Sequence, residues 1–336
     1  MAATEILTGS HPTPVRPPRA STASWPLADR IAYGLCWAIG IALCVVTAWI
    51  VLYMLIKGAG QLRPSLFTES PAPSTNQSQS GGFRDPLIGT LILAAVGTVI
   101  AAPIGVATAA WLSEYARPAG LARAVESAVE MIAGAPSIVL AIFGLLIFSQ
   151  SYFGFLSQTA ANGAVIGQSF LVAGAIMSLL AIPLIVSSTR EALAQLPDRL
   201  REASWALGKT RATTIRHVLL PAIRPSIAGG IVLGMGRIIG DTAIVVILLG
   251  PAFKNEPVGN LPLLGTLRGT GSTLTSFVYN NSPAGEGNAP QKAYAAAFVL
   301  MLVVLLLNWL VTRLTGERPQ RRRWLPGFGR LTTWTR

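Results

Sequence analysis

The stretch Arg190 to Arg224, REALAQLPDRLREASWALGKTRATTIRHVLLPAIR, is a polar island between two apolar runs, Ser169 to Ser187 and Pro225 to Gly250. Leu196, Leu200, Ala203 and Leu207 recur at helical spacing opposite Arg199, Arg201 and Glu202, which predicts an amphipathic surface helix that Gly208 can terminate. A second short helix is expected to follow and to close at Pro221. Within the stretch, Ala203 to Thr210 (ASWALGKT) nearly matches the phosphate-cradling pattern G-x-x-x-x-G-K-[ST]. The match fails on physical grounds. Its first Gly is missing, no buried strand precedes it, and Ser204-Trp205-Ala206-Leu207 is helix-forming where bare backbone must approach phosphate. The chain is not expected to hydrolyse ATP itself.

Outward from this island the chain is apolar. Of 336 residues, 51% are hydrophobic and 12% charged, against roughly 25% charged in a soluble domain, and the mean hydropathy is +0.54. Charge-poor runs at Ile31 to Ile56, Leu87 to Trp111, Val125 to Phe148, Ser169 to Ser187, Pro225 to Gly250 and Ala293 to Val311 are each near the ~20 residues a spanning helix needs. The expected fold class is therefore all-α, a polytopic membrane protein with six transmembrane helices. Pro103, Pro136 and Pro183 lie inside three spans, which a membrane bundle tolerates where neighbours satisfy the freed carbonyls. Residues 1–30, rich in Pro, Ser, Thr and Arg, are expected to form a disordered cytoplasmic tail, 31–312 the transmembrane domain with a cytoplasmic loop at 189–224, and 313–336 a basic cytoplasmic tail.

The net charge of +12 is a topology signal rather than a sign of nucleic acid. With the N-terminus inside, the inner side holds three Lys and Arg in the tail, two in 112–124, seven in 188–224 and seven at the C-terminal end. The outer side holds Lys57, Arg63, Arg84, Lys254, Arg268 and Lys292, so both termini are expected inside. Outer segments 57–86 and 251–292 are rich in Gly, Pro, Asn and Ser and are expected to be loops. Uncharged Ser149 to Gln168 is expected to form an outer loop or a partly re-entrant turn. Cys36 and Cys44 lie within one apolar run, as small hydrophobes rather than a disulfide framework. His11 and His217 cannot build a metal site. Asn76-Gln77-Ser78 and Asn280-Asn281-Ser282 match the glycosylation pattern.

The fifth run contains a charge in an expensive place. In GGIVLGMGRIIGDTAIVVILLG (229–250), Arg237 and Asp241 are i,i+4 neighbours on a continuous helix. At ~1.5 Å per residue Arg237 lies roughly 18 Å beyond Pro225, near the middle of a ~30 Å hydrocarbon core. Arg at that depth costs about 2.5 to 3.5 kcal/mol, so it should face a cavity or a partner. A guanidinium keeps its charge and fits the oxygens of phosphate or carboxylate, which points to an oxyanion; the alternative is an ion pair with Asp241 that neutralises both groups. Gly230 with Gly234, and Gly236 with Gly240, give two GxxxG spacings for close helix packing. In the third run Pro136 frees the carbonyl of Ile132, either as a packing kink or as a break lining the same cavity. By rise it sits roughly 16 Å into its span, level with Arg237. Glu126 and Glu130 stand near its inner mouth, with Arg123 at i,i+3 to Glu126, and are expected to be a solvated or paired boundary. The basic end Arg318 to Arg330 is expected to act as a stop to translocation.

Three segments resemble known families. Glu202-Ala203-Ser204, three residues, Gly208, nine residues, Val218, one residue, then Leu220-Pro221 resembles the EAA loop of ABC-importer permeases, with Ser for Ala and Val for Ile. That resemblance implies a coupling helix seated in a groove of a separate ATPase subunit, with Glu202, Ala203, Ser204, Gly208, Val218, Leu220 and Pro221 as ATPase-coupling residues. Gly236 to Ala243 (GRIIGDTA) resembles the phosphate-importer permease signature, with Asp241 in place of Glu, and implies a phosphate pathway through Arg237 and Asp241. Ala133, Gly134, Pro136, Ser137 and Ile138 are similar to the same family's AGxPSI stretch, which adds Pro136 and Ser137 to the pathway. Together they imply a type I ABC-importer permease of the PstA type that moves inorganic phosphate by alternating access in a bacterial plasma membrane. The implied partners are a second, PstC-type permease chain, two copies of a PstB-type ATPase, a PstS-type phosphate-binding protein and membrane lipid, with no nucleic acid. No cofactor is implied in this chain, ATP being held by the ATPases. Sulfate or molybdate as substrate, or a secondary transporter or channel without an ATPase, are the alternatives.

Overall fold

The computed structural model describes residues 26–71, 81–157, 167–250, 255, 262–283, 285 and 289–314. The expectations placed on residues 1–25, on Asn76-Gln77-Ser78 and on Arg318 to Arg330 lie outside them. Among the described residues the regular structure is helical, apart from one isolated bridge between Pro71 and Gly81. The chain forms two compact units, Met1–Tyr53 and Met54–Arg336. The first contains most of α1 (Leu27–Gly58), whose apolar residues, Trp37, Ile39, Leu43 and Trp49 among them, are exposed. Its Cys36 and Cys44 are free thiols.

The second unit holds α2 (Ser65–Thr68), α3 (Arg84–Glu114), α4 (Ala119–Gly134), α5 (Ser137–Phe148), α6 (Phe170–Ala194), α7 (Asp198–Ala206), α8 (Arg211–Thr214), a π-helical turn (Ile215–Leu219), α9 (Leu220–Ala222), α10 (Arg224–Gly240), α11 (Ala243–Leu249), α12 (Pro262–Arg268), α13 (Leu274–Asn281) and α14 (Pro290–Leu314). Four helices, Leu27–Gln61, Arg84–Glu114, Phe170–Ala194 and Pro290–Arg313, are long and apolar enough to cross a membrane, and the number is six when each of two bent pairs, Ala119–Gly134 with Ser137–Phe148 and Arg211–Ala222 with Arg224–Gly240, is counted as one span. The all-α membrane fold is thus as expected, but not every span is straight.

α6 is the axis of the unit. It is buried along most of its length, through Val172, Ala173, Ile176, Met177, Leu180, Ile185 and Val186, and α3, α4, α5, α10 and α11 pack on it. Pro103 and Pro183 stay inside continuous helices α3 and α6, as proline can in a membrane-spanning helix. Pro136 behaves differently. The residue before a proline is pushed out of the α region; Ala135 adopts φ −72°, ψ 134°, and Pro136 follows at φ −61°, ψ 131°. α4 and α5 therefore meet at 109°. With 16 and 12 residues, neither covers ~30 Å at ~1.5 Å per residue. The expected third span is a broken one, and the straight-helix depth that set Pro136 level with Arg237 does not apply.

The expected fifth span is also interrupted. α10 ends at Gly240, Asp241 takes extended backbone (φ −81°, ψ 119°), and α11 restarts at Ala243. Upstream, α10 meets the Arg211–Ala222 segment at 74° across Ile223. A second apolar cluster of Leu66, Phe83, Leu274, Phe277, Ala296 and Val299 joins α2, α3, α13 and α14. α13 is pinned by polar contacts as well: Thr90 Oγ1 accepts from the Leu274 amide at 2.8 Å, and Thr275 Oγ1 donates to the Ile239 carbonyl at 2.8 Å. The second bond supplies a donor to a carbonyl that the end of α10 leaves free.

Candidate functional site

The polar island folds into a helix–turn–helix beneath α6. α7 ends at a left-handed glycine: Gly208 has φ +72°, its amide donates to Trp205 O at 2.8 Å, and the Lys209 amide donates to Ser204 O at 3.2 Å. This is the Schellman pairing of a helix end. Thr210 then caps α8, its Oγ1 accepting from the Thr213 amide at 3.3 Å. The near-match to a phosphate loop is accordingly helix followed by turn, as its composition predicted.

α7 packs on the molecule with the face that its apolar spacing did not predict. Arg201 is turned inward, and its guanidinium donates to Glu114 Oε1 at 2.9 and 3.0 Å, to Asp198 Oδ1 at 3.1 Å, and to the carbonyls of Leu193 at 3.1 Å and Leu196 at 3.3 Å. Ser204 is buried, with its hydroxyl 2.8 Å from Thr214 Oγ1. Leu200, Trp205 and Leu207 are instead exposed, Leu207 at 78%, as are Glu202, Ala203 and Gly208. The expected orientation of the amphipathic helix is corrected: the helix ends of α3 and α6 offer carbonyls and a carboxylate, which a guanidinium satisfies and a leucine does not. Val218, Leu220 and Pro221 are half-buried, and Leu220 packs on the cluster of Ala192, Leu193, Leu219 and Ile223 that fastens α9 to α6.

α10 carries the second candidate site. Its Gly230 lies where an added Cβ would be 3.0 Å from Ser188 Cβ and 3.2 Å from Ile185 Cα, and a Cβ at Gly234 would be 3.1 Å from Ala181 Cβ. The first GxxxG pair therefore seats α10 on α6. The second pair does not pack: Gly236 and Gly240 have nothing within 4 Å of an added Cβ, nor has Gly229. Those glycines, with exposed Leu233 and exposed Arg237, form one open face. Among the described residues no side chain pairs with Arg237. The expected i,i+4 pairing with Asp241 is not formed, because the helix ends one residue before the acid, and Asp241 Oδ1 accepts from the Ile244 amide at 3.0 Å to cap α11. Pro136 is exposed and Ser137 half-buried at the start of α5. Both α5 and α10 pack on α6, and α11 packs on α5, so the segments share a scaffold. Glu126 pairs with Arg190 of α6, while Arg123 Nε donates to Ala119 O at 3.4 Å; the boundary is paired, with a different partner from the local one expected. Among the described residues no His, Cys, Asp and Glu cluster could hold a metal ion.

Long apolar helices, two bent helix pairs and an anchored polar loop with exposed apolar residues are the architecture of a polytopic membrane protein. The chain belongs to the family of binding-protein-dependent transport system inner membrane components, whose model matches residues 101–316. It is similar to the phosphate transport system permease protein PstA 2 of Mycobacterium bovis, 31% identical over 94% of this chain and 97% of that one. It is also similar to PstA 1 of Mycobacterium tuberculosis, 29% identical over 82% of this chain and 83% of that one, and to PstC of Xylella fastidiosa, 29% identical over 68% and 71%. Among solved structures, a chain of the bacterial alginate ABC transporter shares the fold, with a TM-score of 0.59 and 16% identity over 86% of this chain and 95% of that one. The chain is an ABC-importer permease subunit with transmembrane helices.

Arg201 and Glu114 were not singled out by sequence reasoning as a pair. They are 87 positions apart, so no local spacing signals the contact, and Arg201 reads as one more charge on a solvated face.

Proposed function

We propose that the chain is a membrane-spanning permease of an ATP-driven importer of inorganic phosphate, of the PstA type, with both termini in the cytoplasm. The observation that carries the substrate reading is the guanidinium of Arg237, without a paired side chain among the described residues, on the open face of α10 and permanently charged. The names of the relatives support it. A guanidinium fork suits phosphate among other oxyanions, and a single cation, with no carboxylate paired to it among the described residues, would hold it loosely enough for release. The open face of α7, closed by Gly208, is read as the docking surface for an ATPase, with Glu202, Ala203, Val218, Leu220 and Pro221 contributing to or supporting it and Ser204 fixing it from within. Alternating access then moves the spans about a central cavity as nucleotide binds and leaves. The partners in this reading are a second permease chain, two ATPase copies and a phosphate-binding protein; ATP sits on the ATPases and this chain turns over no substrate chemically.

The test is uptake of radiolabelled phosphate into proteoliposomes holding the complete complex with its binding protein. ATP-dependent phosphate accumulation unaffected by excess sulfate or molybdate is the expected result. Accumulation that sulfate or molybdate abolishes would reassign the substrate, and accumulation by this chain without an ATPase would remove it from ATP-driven transport.

A further inference from the structure

Beside Arg201 of α7 lies a cavity of about 550 Å³ lined by the ends of α3 and α6 and by α4. Two ion pairs border it, and they differ in kind. Arg190 of α6 and Glu126 of α4 both line it, with side chains 38% exposed. Arg201 and Glu114 are enclosed, at 15% and 10% exposure, and the guanidinium reaches five acceptor contacts on α3, the α6 end and α7. Exposed pairs are weak and readily exchanged for water, whereas an enclosed, multiply bonded guanidinium leaves uncompensated groups behind when its contacts are broken. Arg211 Nη1 adds a bond to the Glu114 carbonyl at 3.4 Å, tying α8 to the same helix end.

On the reading that the open face of α7 receives an ATPase, we propose that Arg201 is the strut that makes α7, the C-terminal end of α3 and the C-terminal end of α6 one rigid block, so that a push on α7 becomes a displacement of α6. The route onward is short. α6 holds α10 through the close approach at Gly230 and Gly234, and α10 carries Arg237. α4, joined to the block by the exposed Arg190 and Glu126 pair and by Ala122, Val125 and Val129 in the apolar core, lines the same cavity as Arg201. Arg201 is thus a positioning residue that touches neither nucleotide nor substrate, and its loss separates ATP hydrolysis from transport without loosening the ATPase.

The experiment uses the complete complex in proteoliposomes, carrying Arg201→Gln, Arg201→Lys, Glu114→Gln or Glu126→Gln, with phosphate transported per ATP hydrolysed as the readout. For Arg201→Gln that ratio is expected to fall roughly tenfold, the scale of a coupling free energy between sites, with ATPase retention on purification unchanged. Arg201→Lys should recover part of it, since an ammonium keeps the charge but not the fork. Glu114→Gln keeps size and the carbonyl contacts and should fall between the two, which preserves the test where Arg201→Gln fails to assemble. Glu126→Gln should keep the parental ratio. A second readout needs no phosphate: with Cys36→Ser and Cys44→Ser, spin labels at Arg199→Cys on α7 and Ser113→Cys on α3 should report one distance in both nucleotide-free and vanadate-trapped complexes. In the Arg201→Gln background they should report two. A parental ratio in Arg201→Gln and Glu114→Gln, an equal loss in Glu126→Gln, or a label distance that changes with nucleotide in the parent overturns the strut. Loss of the ATPase from the parental complex overturns the docking reading and the strut together.

Discussion

Replacing Gly208 with Ala isolates one physical term. No atom lies within 4 Å of the position an added Cβ would take, so the substitution meets no neighbour and its whole cost lies in the backbone. Holding an L-residue at φ +72° costs about 1–2 kcal/mol relative to glycine. At 1.4 kcal/mol per tenfold, that multiplies the population with an open α7 end by about 5 to 30. The opening breaks the amide bonds of Gly208 to Trp205 O and of Lys209 to Ser204 O. Hydrogen exchange of the peptide spanning 203–210, in nanodiscs, should therefore accelerate by that factor while peptides from α6 keep the parental rate. Gly208→Asn, which tolerates the left-handed region, should recover most of the protection. Gly236→Ala is the control: it also meets nothing within 4 Å, lies within α10 and needs no special φ, so it should not accelerate exchange at α10. Equal exchange in Gly208→Ala and the parent would refute the reasoning that a left-handed closure terminates α7.

Two further substitutions read the packing that carries α10. Gly234→Val pushes against Ala181, whose Cβ stands 3.1 Å from the added Cβ, and should lower the thermal unfolding midpoint in detergent by the equivalent of about 1–3 kcal/mol; Gly236→Val in the same helix should not. Thr275→Val removes the donor to the Ile239 carbonyl at the end of α10, which costs about 1–3 kcal/mol for a buried acceptor left unpaired. Thr275→Ser should hold the parental midpoint, and a Val variant as stable as the Ser variant would show that the carbonyl finds another partner.

Legibility in the sequence followed the range of the interactions. Apolar runs near twenty residues identify α1, α3, α6 and α14, because the length of a spanning helix is set by the bilayer and not by tertiary contacts. The end of α7 at Gly208 was legible for a similar reason, since a left-handed closure is a local requirement. Two interruptions were harder. Pro103, Pro136 and Pro183 look alike in sequence, yet the first and third stay inside continuous helices while α4 and α5 meet at 109° on either side of the second. The break at Asp241 hides in an apolar run whose acid reads as an i+4 partner, whereas the carboxylate caps the next helix. The facing of α7 was illegible because its anchor, Glu114, is remote in sequence. Hydrophobic spacing assumes that the apolar side seeks the protein; here exposed helix ends offered charge-assisted hydrogen bonds to the polar side.

The proposed role of Arg237 in the passage of phosphate is tested most directly by ATP-dependent uptake of radiolabelled phosphate, comparing proteoliposomes that carry the parental complex with those carrying Arg237→Gln, at matched assembly and ATPase content. The variant complex is expected to assemble and to transport no phosphate. Parental uptake by the variant would contradict that role.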